Sequence, residues 1–420
     1  MQPGIRDVTD EIPVVSKQHD HEMAFERRKS RHSLIAVTAI GALVLAAVIG
    51  FAGNRSKPFR RTAGPIRVSG WVPYWQTDSS LASFTTNSAM FSDVSVFAWS
   101  TIGADNIRAE AIDPNAIAAF RSAAHNARVP LIATVFDGMA KGQLASLLAD
   151  PTSRRVHVDS LVKLVNELNF DGIDLDYEQF AFADGRDSWA TTRPNWVTFI
   201  NELSVPLHAA GKKLIVSAPP IYDKSRSDSS GYWVYDFEAI APFVDSVRVM
   251  AYDYSTSEPG PIAPINWVSR VIEGARSMLP DTKIMLGVPV YGYSWVTSVS
   301  GGCPADQKPQ RRNLSTRSAA ELATTLGLVP TRDPDSGENT LTYSDQLTGL
   351  DVAGAPTACT VTRIAWYLDA KAIFQRAALA YHANLAGISL WSLGNDDDLS
   401  WEGILAAGAG IADWPPSSAP

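Results

Sequence analysis

Asp174, Asp176 and Glu178 occupy alternate positions in the run Phe170-Asp171-Gly172-Ile173-Asp174-Leu175-Asp176-Tyr177-Glu178. Side chains alternate across a strand, so the three carboxyls share one face, while Ile173, Leu175 and Tyr177 share the other. The apolar face has to pack on a core, which turns the acids into the interior of whatever the strand helps enclose. Neighbouring like charges in a low dielectric resist ionising together, so proton sharing and raised pKa values follow. A carboxyl that keeps its proton near neutral pH is a general acid. Chance acids on a solvated strand end would not alternate with Ile and Leu. A metal site built from the carboxylates is the competing reading. No histidine or further acid stands nearby in sequence to complete a coordination shell, so no metal and no other cofactor is expected.

The surrounding sequence supplies elements that can position this strand. Apolar, β-rich runs fall at 66–75, 94–99, 131–136, 172–177, 214–218, 244–254, 284–293 and 387–391. Helix-like stretches lie between most of them, at 116–127, 155–168, 196–210, 268–279 and 370–384. Eight strands alternating with helices predict an α/β fold, a TIM (β/α)8 barrel, with Glu178 at the C-terminal end of the fourth strand, where barrel active sites lie. A doubly wound open sheet would want a Gly-rich phosphate turn after its first strand, and Ser69-Gly70-Trp71-Val72-Pro73-Tyr74 supplies none. The long gap between strands seven and eight reads as a small α+β insertion at about 296–365. It contains a helical piece at 316–326 and strand-like pieces at 340–343 and 361–367, and is expected to wall one side of a cleft.

The chain has 420 residues, enough for one large barrel with insertions and tails. Hydrophobic residues make up 45% and charged residues 19%, which excludes wholesale disorder. A formal net charge of −8 would repel a polyphosphate, so no nucleic-acid partner is expected. Residues 34–53 form an uncharged stretch long enough to span a bilayer, preceded by Arg27, Arg28, Lys29 and Arg31. The expected layout is a cytoplasmic tail at 1–33, a transmembrane segment or signal anchor at 34–53, a linker at 54–65, the barrel at 66–410 and a loose tail at 411–420. Gly50-Phe51-Ala52 leaves cleavage open, in which case the domain is secreted rather than anchored. Cys303 and Cys359 lack zinc-site spacing. In an exported chain they could form one disulfide; otherwise they are two buried thiols.

Asp171-Gly172-Ile173-Asp174-Leu175-Asp176-Tyr177-Glu178 resembles the DGxDxDxE signature of glycoside hydrolase family 18, the chitinase-like enzymes. Met250-Ala251-Tyr252-Asp253 is similar to the family's sixth-strand motif, and Gly287-Val288-Pro289-Val290-Tyr291-Gly292 to its seventh strand. Trp391 resembles the tryptophan that closes its eighth. Pro259-Gly260-Pro261-Ile262-Ala263-Pro264-Ile265-Asn266-Trp267-Val268 resembles the bacterial branch of spore-cortex and cell-wall N-acetylglucosaminidases.

The resemblance implies a retaining glycosidase that cleaves an N-acetylglucosamine polymer, chitin or peptidoglycan, with the substrate's own N-acetyl group as nucleophile. It implies Glu178 as acid and then base, Asp176 on the acetamido N–H, Asp174 sharing a proton with Asp176, and Tyr252 on the acetamido carbonyl. It also implies Trp391 as the floor beneath the sugar, with Met250, Asp253, Tyr74 and Tyr291 around it. The domain would stand outside the membrane, where such a polymer is found, and act as a monomer. The rival is a lectin-like wall protein with weak catalysis. Trp75, Trp99, Trp233 and Trp295 are left outside the site because their parity is ambiguous. His157, His208 and His382 fall on helices and read as surface or packing residues.

Overall fold

The structure is a computed structural model, and it describes residues 66–415. The expected tail, anchor and linker at 1–65 lie outside the described residues, as do 416–420. Among the described residues no helix is long and apolar enough to cross a membrane.

The chain opens with β1 (Arg67–Pro73) and β2 (Val94–Gly103), and β2 carries a short antiparallel partner, β3 (Asn106–Ala109). Then come β4 (Leu131–Asp137), β5 (Gly172–Asp176), β6 (Lys213–Ala218), β7 (Ser246–Val249) and β8 (Ile284–Pro289). After an excursion through β9 (Tyr291–Gly301), β10 (Arg312–Ser315), β11 (Thr331–Arg332), β12 (Asn339–Leu350) and β13 (Pro356–Tyr367), the chain returns as β14 (Gly387–Trp391). β14 pairs in parallel with both β8 and β1, and β1 pairs in parallel with β2. Eight parallel strands thus close on themselves, as the alternation of strand and helix predicts.

Alternation sorts the strand residues. Val68, Val96, Val135, Ile173, Leu175, Val216, Val247, Leu286 and Ile388 belong to the apolar core cluster between sheet and helices. The opposite face, inside the barrel, is unusually polar, with Ser69, Ser95, Thr134, Asp174, Ser217, Arg248 and Ser389 all fully buried. Several crossover helices start where the sequence says they can. Asp113, Asp150, Asp369 and Asp397 each accept a backbone N–H at the first turn of the helix that follows.

β9 to β13 form a second, five-stranded sheet in the order β10-β9-β13-β12-β11, accompanied by the helix Thr316–Leu326. This is the expected α+β insertion, with shifted limits. The run 284–293 is two strands, not one. β8 ends at Pro289, the Val290 N–H bonds the Trp391 carbonyl, and Tyr291 already pairs with Ser315 in the second sheet. The run 244–254 is likewise shorter than expected, because only Ser246–Val249 pairs and Asp253 takes a left-handed φ of 58°. Cys303 and Cys359 are joined, pinning the outer end of the insertion across a sequence separation of 56. Trp414, expected in a loose tail, is half-buried and packs on Phe374 at 6.1 Å.

Candidate active site

β5 delivers the acidic trio as its parity predicts. Asp174 is fully buried, Asp176 is buried, and Glu178 emerges half-buried just past the strand's end. Glu178 opens a short helical turn, Gln179–Phe182, whose Ala181 and Phe182 N–H groups bond its carbonyl. The preceding residue is clamped. The Tyr235 hydroxyl donates to the Tyr177 carbonyl at 2.7 Å, and the Tyr177 hydroxyl meets Thr101 Oγ1 at 2.7 Å and His157 Nε2 at 2.8 Å. His157 is fully buried, and burial pushes its pKa down to about 4, so the ring is neutral near pH 7. Its Nδ1 faces the Ala104 carbonyl, which can only accept, so Nδ1 carries the proton and Nε2 accepts from Tyr177. His157 is therefore a packing residue with a hydrogen-bonding task.

Asp174 receives four donors. The Trp71 indole N–H (2.8 Å), Thr134 hydroxyl (3.0 Å) and Arg248 guanidinium (2.8 Å) reach Oδ2, and the Ser217 hydroxyl (2.7 Å) reaches Oδ1. Arg248 also donates to Asp93 at 2.6 Å, and Ser69 bonds the same Asp93 oxygen at 2.6 Å. The guanidinium lies 4.9 Å from the Trp71 ring centre. Asp176 differs: its Oδ1 is buried without a hydrogen-bond partner. Burial and then the charge of Asp174 push its pKa up, partly offset by Arg248. Glu178 is raised well above the usual carboxylate range by burial and then by Asp176, Asp253 and Asp137. The charge of Asp176 thus opposes ionisation of Glu178 beside it.

Tyr252 and Asp253 follow β7 as expected, but in a loop. Tyr252 is buried, its pKa pushed up by burial and then by Asp176, Glu178, Asp253 and Asp174 in turn. Its ring lies over β8 because residue 287 is glycine. A Cβ there would come within 2.9 Å of the Tyr252 ring and 2.8 Å of the Val249 carbonyl. Asp253 accepts from the Tyr291 hydroxyl and, at 2.8 Å, from the Tyr293 hydroxyl, which ties the site to the first strand of the insertion. Met250 is half-buried and shares strand parity with Arg248. Trp391 ends β14, its ring edge-on to Trp71 (5.6 Å) and Phe97 (5.2 Å), with Phe136 stacked on Phe97 at 4.7 Å. Tyr74 is half-buried, its ring edge-on to Trp75 at 4.8 Å.

Sequence reasoning missed Arg248, Trp71, Asp93 and Asp137. Arg248 had a signal: Val247 and Val249 face the helices, which forces an arginine between them inward. Asp137 also had one, at the C-terminal end of the third barrel strand. It is buried, and burial pushes its pKa up to about 7. One of its oxygens accepts from the Met139 N–H and the other is buried without a partner. Asp93 precedes its strand, and nothing in its local sequence points to Arg248.

Comparison with known proteins follows the same lines. The family described as Glycosyl hydrolases family 18 matches residues 67–396. The chain is 26% identical over 266 residues to the uncharacterized glycosylase YvbX of Bacillus subtilis, covering 63% of this chain and 69% of that one. It is 28% identical over 260 residues to the cortical fragment-lytic enzyme of the same organism, covering 61% of this chain and 54% of that enzyme. Among solved structures, a chitinase from Chromobacterium violaceum ATCC 12472 has a TM-score of 0.63 at 24% identity, covering 81% of this chain and 98% of that one.

Proposed function

The chain belongs to glycosyl hydrolases family 18 and is by that membership a glycosidase; from that premise we propose that it cleaves β-1,4 bonds in a glycan containing N-acetylglucosamine, chitin or peptidoglycan, with retention and with the substrate's acetamide as nucleophile. The observation that carries this reading is the contrast within one strand. Asp174 accepts four hydrogen bonds, Asp176 has a buried Oδ1 that accepts none, and Glu178 stands at the mouth holding a proton.

In the resting site Asp176 and Glu178 share a proton. An acetamido N–H donating to Asp176 favours its ionised form and draws that proton onto Glu178. Glu178 then protonates the glycosidic oxygen as the C1–O bond breaks, and the acetamido oxygen bonds C1, forming an oxazolinium ion. The Tyr252 hydroxyl orients that oxygen, and the Asp176 carboxylate steadies the cation. The Glu178 carboxylate next removes a proton from water, which attacks C1 and reopens the ring. Inversion twice gives net retention. Trp391, braced edge-on by Trp71 and Phe97, offers the flat apolar face a sugar ring stacks on. The intact acid at 178 favours turnover over a binding-only role.

The disulfide supports the reading that the domain works outside the membrane, tethered through 34–53 or released by cleavage, since such bonds persist in oxidising compartments. Protease added to intact cells should then remove the domain, and protection would contradict export. The substrate is tested by incubating the purified protein separately with chitin oligomers and peptidoglycan and weighing the products by mass spectrometry. Reducing-end N-acetylglucosamine products from either polymer support the proposal, and none from both overturns it.

A further inference from the structure

Arg311 directly precedes β10, where the insertion meets the loop that carries Tyr252 and Asp253. Its guanidinium lies over the Tyr293 ring, 4.1 Å from the ring centre, and the Tyr293 hydroxyl donates to Asp253 at 2.8 Å. One tyrosine side chain thus links the cation to the site. Nη1 donates to the Thr256 carbonyl at 2.6 Å, an oxygen that also receives the Trp295 indole N–H at 2.9 Å. Among the described residues Arg311 forms no ion pair, whereas its neighbour Arg312 meets Asp345 at 2.6 Å and Arg363 meets the same carboxylate at 2.8 Å. The buried Arg154, Arg248 and Arg376 are paired as well. A guanidinium has five N–H donors in a planar fork, and half-buried Arg311 uses one of them, on a neutral carbonyl. The charge around it has the same sign. From Gln307 to Asn313 the sequence holds Lys308, Arg311 and Arg312 and no acid, in a chain of net charge −8. An arginine laid flat on an aromatic ring keeps its orientation, and its open edge fits a carboxylate with two parallel hydrogen bonds.

We infer that Arg311 is a specificity-determining residue that receives a carboxylate carried by the glycan, so that the site takes an acid-substituted polymer of the peptidoglycan kind in preference to neutral chitin. The inference rests on the glycosidase reading and deepens it. Every polar group of chitin is uncharged, and a hydroxyl gains little from a guanidinium that water does not already give it. A peptidoglycan strand bears a lactyl ether on every second sugar. That ether ends in a free carboxylate or, where a stem peptide is attached, in an amide followed by the carboxylates of the peptide. Either substituent projects sideways from the chain axis, towards a wall of the cleft rather than the floor beneath the rings. The insertion supplies such a wall. Tyr291 and Tyr293 of β9 both donate to Asp253, so that acid is already held by hydroxyls and the fork of Arg311 is left for the substrate.

The test uses oligosaccharides of alternating N-acetylglucosamine and N-acetylmuramic acid in three forms: free lactyl carboxylate, lactyl methylamide, and lactyl amide bearing a short stem peptide. The readout is the ratio of kcat/KM for each charged form over the methylamide, in the parent, Arg311→Gln and Arg311→Lys. The parent should favour one charged form by about tenfold or more, carried mainly by KM. Which form is favoured tells the lactyl carboxylate from the peptide carboxylate. Arg311→Gln should bring that ratio to about one, and Arg311→Lys, which keeps the charge without the fork, should fall between. If Arg311 only clamps the Thr256 carbonyl, Arg311→Gln slows all three forms in proportion and the ratio stays at the parent's value, which overturns the inference. A parent ratio near one for both charged forms overturns it too. Should the parent cut no glycan, the glycosidase reading falls, and calorimetric Kd values for the same three oligosaccharides decide this one. Tighter binding of a charged form, lost in Arg311→Gln, would uphold it, and equal or absent binding would end it.

Discussion

The inside of the barrel and the outer half of the β9–β12–β13 wing are both β-sheet, yet they are held by opposite means. Within the barrel, inward side chains are buried and polar, and Trp71, Thr134, Ser217, Ser69 and both terminal nitrogens of Arg248 donate to Asp174 or Asp93. In the wing, Val299, Leu350 and Val352 are exposed, and Val352 is 96% so. There the twelve-residue strands β12 and β13 are paired end to end and closed by one disulfide. The barrel tolerates no unpaired group without cost, because desolvated charges have nowhere else to turn. The wing rests on backbone pairing that most side-chain changes leave alone. A change of one atom should therefore be felt strongly around β5 and weakly beyond Val299.

The largest effect expected is on Glu178→Gln, which keeps the shape and removes the proton. Turnover should fall about a thousandfold with the melting temperature unchanged. A variant within tenfold of the parent would deny the residue its role. Next comes Asp137→Asn. Burial raises the folded pKa of Asp137 to about 7 from its ordinary 3.8, so folding binds a proton that the unfolded chain has already lost. That costs stability increasingly between about pH 4 and pH 7, and in full above 7. The asparagine variant should be more stable than the parent by on the order of 3 kcal/mol at pH 8, with the gain vanishing near pH 4. Urea unfolding at both pH values checks it, and an equal gain at both would refute the assignment.

Tyr177→Phe deletes one hydroxyl and strands two buried partners, Thr101 and His157. A loss of about 2 kcal/mol is expected by denaturant titration, with kcat lowered more than KM because Glu178 is the next residue. Reducing the Cys303–Cys359 bond should raise amide exchange in the outer ends of β9 and β13 and leave turnover of short oligomers within about twofold. Should turnover collapse, the wing and the site are mechanically joined and the contrast fails. Smallest of all, Val352→Ser should change stability by less than about 0.5 kcal/mol.

How much of this was legible follows from the same contrast. The trio on β5 could be read outright, because alternation with Ile173, Leu175 and Tyr177 leaves one direction open to the acids. The barrel could be read from eight apolar runs, though two were read too long. At Asp253 a left-handed residue ends the pairing, and at Val290 the chain changes sheets, and neither event leaves a mark in hydrophobicity. Arg248 could have been placed by parity. Its meeting with Asp93, 155 positions away, could not, since it depends on barrel closure.

The most direct check is proton NMR of the first sugar anomer released from a chitin oligomer, run beside an oligomer whose acetamide at the cleaved unit has been replaced by a free amine. The β-anomer should appear first, and the amine should not be cut. The α-anomer first, or equal cleavage of both oligomers, would contradict a mechanism in which the substrate's own amide closes on C1.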